Sequence, residues 1–218
     1  MIRKSDDESA PLICVLDDDA DVRDSLATLL RSAGYRVAAF ADPDSFLAHD
    51  GLDAVSCLVL DVRLGPIDGL DFQQELARGD NRLPVILMSG HGDIPMTVRG
   101  MRAGAVTFLP KPFEEEDMLG AIGEAVALDR ERRAQDNTRD SLRARFDSLT
   151  PRERDVLGLV TAGLMNKQIA ARLDLSEITV KIHRGNMMRK MQAESLADLA
   201  IMAEALGARE PISRYKRD

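Results

Sequence analysis

The sequence predicts an α/β fold, a doubly wound five-stranded parallel sheet, followed by a small all-α domain. In the first half, short apolar runs of strand length alternate with stretches of helical periodicity. From about residue 150 the strand signals stop and only helical ones remain. The charge divides at the same place. Residues 1–148 hold 17 Lys+Arg against 28 Asp+Glu, a net of −11, and residues 149–218 hold 12 against 9, a net of +3, which together make the chain's −8. An acidic front and a mildly basic back call for different partners, with any polyanion contact assigned to the back.

The first strand is Ile13–Leu16, and a helix follows over Ala20–Ser32, where Val22, Leu26, Leu29 and Leu30 recur at helical spacing. Gly34 stops it, and Tyr35–Phe40 is the second strand. Asp42-Pro43 caps and opens a short helix, with proline at the first helical position. Strand Cys57–Leu60, a Gly-Pro turn and a helix around Leu70–Ala77 come next. Then follow strand Val85–Met88, a helix over about Pro95–Met101, strand Val106–Leu109 and a last helix from near Phe113. Strands alternating with helices in this way predict one doubly wound domain.

Beyond Leu128, residues 129–148 are rich in charge and lack glycine and proline; Leu142, Phe146 and Leu149 at i, i+4, i+7 make parts of this linker helical. Thr150-Pro151-Arg152-Glu153 is a capping box with proline at its first position. Helices are expected at about 151–161, 167–173, 177–191 and 195–206, broken at Gly163, Asp174 and 192–194. No apolar stretch approaches the ~18 residues of a membrane span, and residues 1–11 lack a signal-peptide core. The expected location is therefore the cytoplasm, with no membrane partner. Cys14 and Cys57 lie inside apolar strands and read as buried thiols.

The strand ends carry the chemistry. Asp17 and Asp18 follow the first strand, Asp61 the third, Ser89 the fourth and Lys111 the fifth. In an open parallel sheet these ends face one crevice, where ligands bind. Asp18 and Asp61 are candidate direct ligands of Mg²⁺ (or Mn²⁺), and Asp17 can act through a metal-bound water. Ser89 and Lys111 can each hold a phosphoryl oxygen. Lys111 sits between Pro110 and Pro112, which stiffen its loop. Together the five can stabilise a phosphorylated Asp61.

In the back half, Ser176 is a good N-cap, after which Val180, Met187 and Met191 share one helix face and Ile178, Lys181, Ile182, Gly185 and Arg189 the other. The second face has cations, small apolar groups and no acid, which suits entry into the DNA major groove. Lys181 can reach base edges or phosphates, the two isoleucines thymine methyls, and Gly185 permits close approach. Asn166-Lys167 opens the preceding helix and can hold a phosphate. His183 reads as a side chain satisfied inside the domain, and Arg184 flanks the recognition face.

The segments Val15-Leu16-Asp17-Asp18-Asp19, Leu60-Asp61-Val62-Arg63, Met88-Ser89-Gly90-His91-Gly92-Asp93 and Lys111-Pro112-Phe113 resemble response-regulator receiver domains, in particular the FixJ branch. Leu149-Thr150-Pro151-Arg152-Glu153-Arg154, Gly163-Leu164-x-Asn166-Lys167 and Thr179-Val180-Lys181-x-His183 resemble the LuxR/NarL-type helix-turn-helix domain. The resemblance implies a flavodoxin-like receiver over residues 11–128, a linker over 129–148 and a DNA-binding domain over 149–208. It further implies phosphotransfer from a cognate sensor histidine kinase to Asp61, and a metal shell completed by the Arg63 carbonyl. Ser89 and Phe108 would be the switch pair, and Lys111-Pro112 a cis peptide. Phosphorylation would favour a homodimer on a double-stranded operator, acting on the transcription machinery. The DNA contacts would come from Lys167, Ile178, Thr179, Lys181, Ile182, Arg184, Gly185 and Arg189.

Two departures mark this chain. Gly65-Pro66 reverses the usual Pro-Gly order, and Ser89 replaces the commoner Thr while keeping the hydroxyl. Arg63 and His91, two residues beyond Asp61 and Ser89, are candidates for shielding the acyl phosphate and setting its lifetime. A rival class is a haloacid-dehalogenase-type phosphatase, whose Asp-x-Asp motif Asp17-Asp18-Asp19 partly echoes, but the later acidic motif and cap insertion are not found. An atypical regulator that keeps the fold without phosphate control is the other alternative, and the intact five-residue site speaks against it.

Overall fold

A computed structural model describes residues 10–79, 82–90 and 94–208. The chain divides into two compact units, one ending at Arg133 and the other beginning at Ala134.

In the first unit, strands β1 (Leu12–Leu16), β2 (Arg36–Phe40), β3 (Val55–Asp61), β4 (Val85–Ser89) and β5 (Thr107–Pro110) form one parallel sheet in the order β2-β1-β3-β4-β5. Helices α1 (Ala20–Ser32), α2 (Pro43–Leu47), α3 (Gly69–Arg78), α4 (Ile94–Arg102) and α5 (Glu115–Asp147) alternate with them. Both sheet faces are covered, so the strands are near-continuously apolar. Cys14, Leu16, Leu58, Leu60 and Leu87 pack on one face with Phe46, Leu70 and Phe72. Ile13, Val15, Cys57, Val59, Ile86 and Met88 pack on the other with Leu26, Leu30, Met118 and Ile122. Cys14 and Cys57 are free and buried.

The helix starts follow local chemistry. Asp19 caps α1 by accepting from Asp21 N (2.8 Å), Asp42 caps α2 through Ser45 N (2.8 Å), and Asp68 caps α3 through Leu70 N (2.8 Å). The helices over Ala20–Ser32, Pro151–Thr161 and Glu177–Met191 have the bounds expected from sequence. β3 is longer than expected, because Ser56 and Asp61 are polar yet buried in the sheet. The reversed Gly65-Pro66 pair forms the turn of a small antiparallel ladder in which Leu64 faces Ile67 and Arg63 faces Asp68. Gly65 takes φ +59°. Proline cannot take positive φ, so glycine first and proline second is the order a II′-like turn requires.

α5 does not stop near Leu128 but runs on to Asp147. Asp129, 1% exposed, pairs with Arg132 and Arg133, and Arg133 Nη2 donates to Val55 O at 2.9 Å.

In the second unit, Leu142 and Phe146 at the end of α5 pack with α6 (Pro151–Thr161), α7 (Asn166–Leu173), α8 (Glu177–Met191) and α9 (Leu196–Ala205). Val156, Ile169, Val180, Met187, Met191, Leu199 and Ala203 are fully buried there, each large apolar side chain contributing roughly 1.5–3 kcal/mol. Leu199 and Ala203 of α9 belong to this domain's own core. Thr150 and Glu153 form the expected capping box, and Lys190 Nζ meets the buried Glu153 at 2.6 Å.

Candidate functional site

The strand registers bring the chemistry to one edge. Leu16 stands beside Leu60, Asp61 beside Met88 and Ser89 beside Pro110, so the residues that end these strands converge. Carboxylate oxygens of Asp17, Asp18 and Asp61 lie within 4.8 Å of one another. Lys111 Nζ sits 2.7 Å from Asp17 Oδ2 and 3.1 Å from Asp61 Oδ2. Lys111 is the first residue of the cis Lys111-Pro112 bond, and its own N–H donates to Ser89 O at 2.7 Å. Asp17 is fully buried and Asp61 nearly so, whereas Asp18 is exposed at the mouth. Three hard oxygen donors around one point fit a divalent cation.

The electrostatics follow from this geometry. Burial pushes the Asp61 carboxyl above its ordinary 3.8; the Lys111 charge pulls it back, and the Asp17 carboxylate pushes it up again. Desolvation opposes the Lys111 ammonium, but its bonds to Asp17 and the charge of Asp61 outweigh that and hold its pKa above the usual value.

Several supporting groups escaped sequence reasoning. Arg63 N–H donates to Asp61 Oδ1 at 3.4 Å, while the Arg63 side chain is exposed. Arg23 Nη1 donates to Asp17 O at 2.7 Å. A Cβ on Gly69 would lie 2.2 Å from Asp61 O, so only glycine lets α3 start this close to the acid. Gly69 N donates to Val62 O at 2.8 Å, which seats the loop. A glycine directly after an N-cap Asp is the signal that could have found it. Ser89 is buried with Oγ 3.8 Å from Met96 Sδ, and Phe108 is half-buried against the core. His91 lies outside the described residues.

On the second unit, Ile178 is 73% and Ile182 58% exposed, and Lys181, Gly185 and Arg189 are exposed beside them. A Cβ at Gly185 would meet nothing within 4 Å. Lys167 is exposed in the first turn of α7. Thr179 is half-buried, with its hydroxyl 2.8 Å from Ser176 Oγ, and Arg184 donates to Asn166 Oδ1 at 2.9 Å, tying α8 to α7. His183 is half-buried.

A parallel five-stranded sheet ending in this acid cluster, followed by a helical unit with an exposed basic helix face, defines a response regulator. Residues 13–123 match the response regulator receiver domain, and residues 147–203 match the luxR family of bacterial regulatory proteins. Nodulation protein W of Bradyrhizobium diazoefficiens is 52% identical over 196 residues, which span 90% of this chain and 86% of that protein. Transcriptional regulatory protein FixJ of the same organism is 41% identical over 197 residues, spanning 89% of this chain and 95% of that protein. The solved structure of response regulator StyR matches with a TM-score of 0.82 at 47% identity, covering 90% of this chain and 99% of that one. The chain belongs to the FixJ-like transcriptional response regulators, in which a receiver is joined to a LuxR-type DNA-binding domain. No helix among the described residues is long and apolar enough to cross a membrane.

Proposed function

We propose that Asp61 accepts a phosphoryl group from the phosphohistidine of a sensor histidine kinase, and that this promotes dimerisation and sequence-specific DNA binding. The observation that carries the reading is Asp61 held 3.1 Å from Lys111 Nζ within the acid cluster. An Asp61 oxygen attacks phosphorus, the P–N bond breaks, and the imidazole keeps the electron pair and takes up a proton. Asp18, Asp61, the Arg63 carbonyl and, through water, Asp17 would hold Mg²⁺ (or Mn²⁺), which would supply positive charge to the crowded oxygens. Lys111 pairs with one phosphoryl oxygen, and Ser89 donates to another as Phe108 turns inward with it. Slow hydrolysis returns carboxylate and inorganic phosphate, so the protein regulates and does not turn over a substrate.

The output is a double-stranded DNA operator, read in the cytoplasm by Lys167, Ile178, Thr179, Lys181, Ile182, Arg184, Gly185 and Arg189 and coupled to the transcription machinery. Receiver, linker and DNA-binding domain span 11–128, 129–148 and 149–208. Arg63 and His91 set the phosphate lifetime by excluding water; unchanged dephosphorylation time courses of Arg63→Ala and His91→Ala would remove that role. The main test is acetyl phosphate or beryllofluoride with Mg²⁺. Wild type shifts toward dimer and binds its operator more tightly, and Asp61→Asn does neither. Equal binding by both proteins before and after treatment defeats the reading.

A further inference from the structure

Gly100 is the one residue of α4 that is buried. A Cβ there would lie 2.2 Å from Leu87 Cδ1, so the absent side chain lets the α4 backbone close onto β4. Apolar burial on α4 is thus confined to that close approach and to the partly buried Met96. Polar bonds supplement it. Gln73 Nε2 donates to Gly100 O at 3.2 Å. Arg99 reaches back to the start of α3, with Nη1 3.1 Å from Asp68 Oδ2 and Nη2 paired with Asp71.

The other end of this connection is Asp61. Asp68 faces Arg63 in the small ladder, and Arg63 N–H donates to Asp61 Oδ1. A bonded path thus runs from Asp61 through Arg63 and Asp68 to Arg99 and α4. α4 in turn presents Ile94 (80% exposed), Val98 and Met101 (both 43%) at i, i+4, i+7, so its position sets where an apolar stripe lies.

We propose that Arg99 is a positioning residue that latches α4 to the β3–α3 loop in the unphosphorylated protein, and that modification of Asp61 loosens the latch. The trigger, though not the latch, rests on the phosphorylation reading above. A carboxylate is a stronger acceptor than the carbonyl of an acyl phosphate. Converting Asp61 to the acyl phosphate therefore weakens its hold on the Arg63 N–H, and with it the ladder that places Asp68 under Arg99.

The experiment uses the full chain, with Arg99→Ala, Asp71→Asn and the charge swap Arg99→Asp with Asp71→Arg. Two exposed ion pairs support an effect of about three- to tenfold. Hydrogen exchange of the Val98–Arg102 amides speeds up by that factor in Arg99→Ala while the central strands are unchanged, and the swap recovers part of it. The association constant of the unphosphorylated chain rises by a similar factor. Unchanged α4 exchange in Arg99→Ala overturns the latch, and faster exchange with an unaltered association constant overturns its regulatory role. Beryllofluoride with Mg²⁺ tests the trigger separately. If wild type and Asp61→Asn dimerise alike in its presence, the phosphorylation reading fails, and α4 exchange still decides the latch.

Discussion

Replacing Gly185 by alanine should move stability and DNA affinity in opposite directions. Gly185 sits in the interior of α8, at negative φ, with nothing within 4 Å of an added Cβ, so the methyl group meets no clash in the free protein. Alanine should then stabilise the helix by about 1 kcal/mol, the full propensity difference. That lowers the opening of buried positions such as Val180 and Met187 about fivefold in hydrogen exchange. On DNA the same methyl group stands between Lys181 and Arg189 on the exposed face, where the backbone is proposed to approach the groove. Overfilling a close-packed contact costs about 1–3 kcal/mol, or roughly 5- to 150-fold in affinity. The assay is titration of a duplex selected from a random pool by the acetyl phosphate-treated wild type, at fixed salt because phosphate contacts make affinity salt-dependent. A Gly185→Ala protein that is more stable and binds this duplex as tightly as wild type refutes the close-approach argument.

Lys111→Met leaves Asp17 and Asp61 without the cation that bridges them, and the receiver should lose about 2–3 kcal/mol, less than a fully buried pair because the ammonium is 22% exposed. Millimolar Mg²⁺ should restore part of the loss in urea denaturation, and equal stability of both proteins without Mg²⁺ contradicts the bridge. Gly69→Ala should disturb Asp61 directly, since its Cβ would sit 2.2 Å from Asp61 O; slower phosphorylation from acetyl phosphate, together with weaker Mg²⁺ binding, is the expected result. The buried Glu153 titrates below its ordinary 4.5: burial alone would raise it, but the Lys190 bond and the Thr150 N–H prevail. A depressed carboxyl stabilises fully above pH 4.5 and loses that contribution as pH falls through its folded value. Acid unfolding of the second unit should therefore begin at higher pH in Lys190→Met, and Glu153→Gln should flatten the dependence below pH 4.5.

The legible parts of the chain were those whose signals are local. Asp19, Thr150 and Ser176 cap their helices through N–H groups two or three residues ahead, so α1, α6 and α8 could be bounded from sequence alone. The strand-end residues were legible because a parallel sheet sends all its carboxyl ends to one side. What sequence reasoning missed depends on distance along the chain. Arg99 meets Asp68 and Asp71 31 and 28 positions away, and Lys190 meets Glu153 37 positions away. The extension of α5 is a different case, because its signal is local. Residues 129–148 read as a charged, partly helical linker, and α5 runs through them to Asp147 with the buried Asp129 paired to Arg132 and Arg133 at i+3 and i+4. That spacing was visible in the sequence and carried the signal.

The two buried cysteines bear on how this regulator can be studied and what it can sense. Burial pushes the Cys14 thiol up to about 12 and Cys57 higher than its ordinary value as well. At neutral pH both thiols then stay protonated, and the thiolate is the species that oxidants and alkylating reagents attack. Peroxide should therefore leave these two thiols reduced. A single cysteine introduced at an exposed position on α4 or α8 would accept a fluorophore or spin label without removal of the native pair.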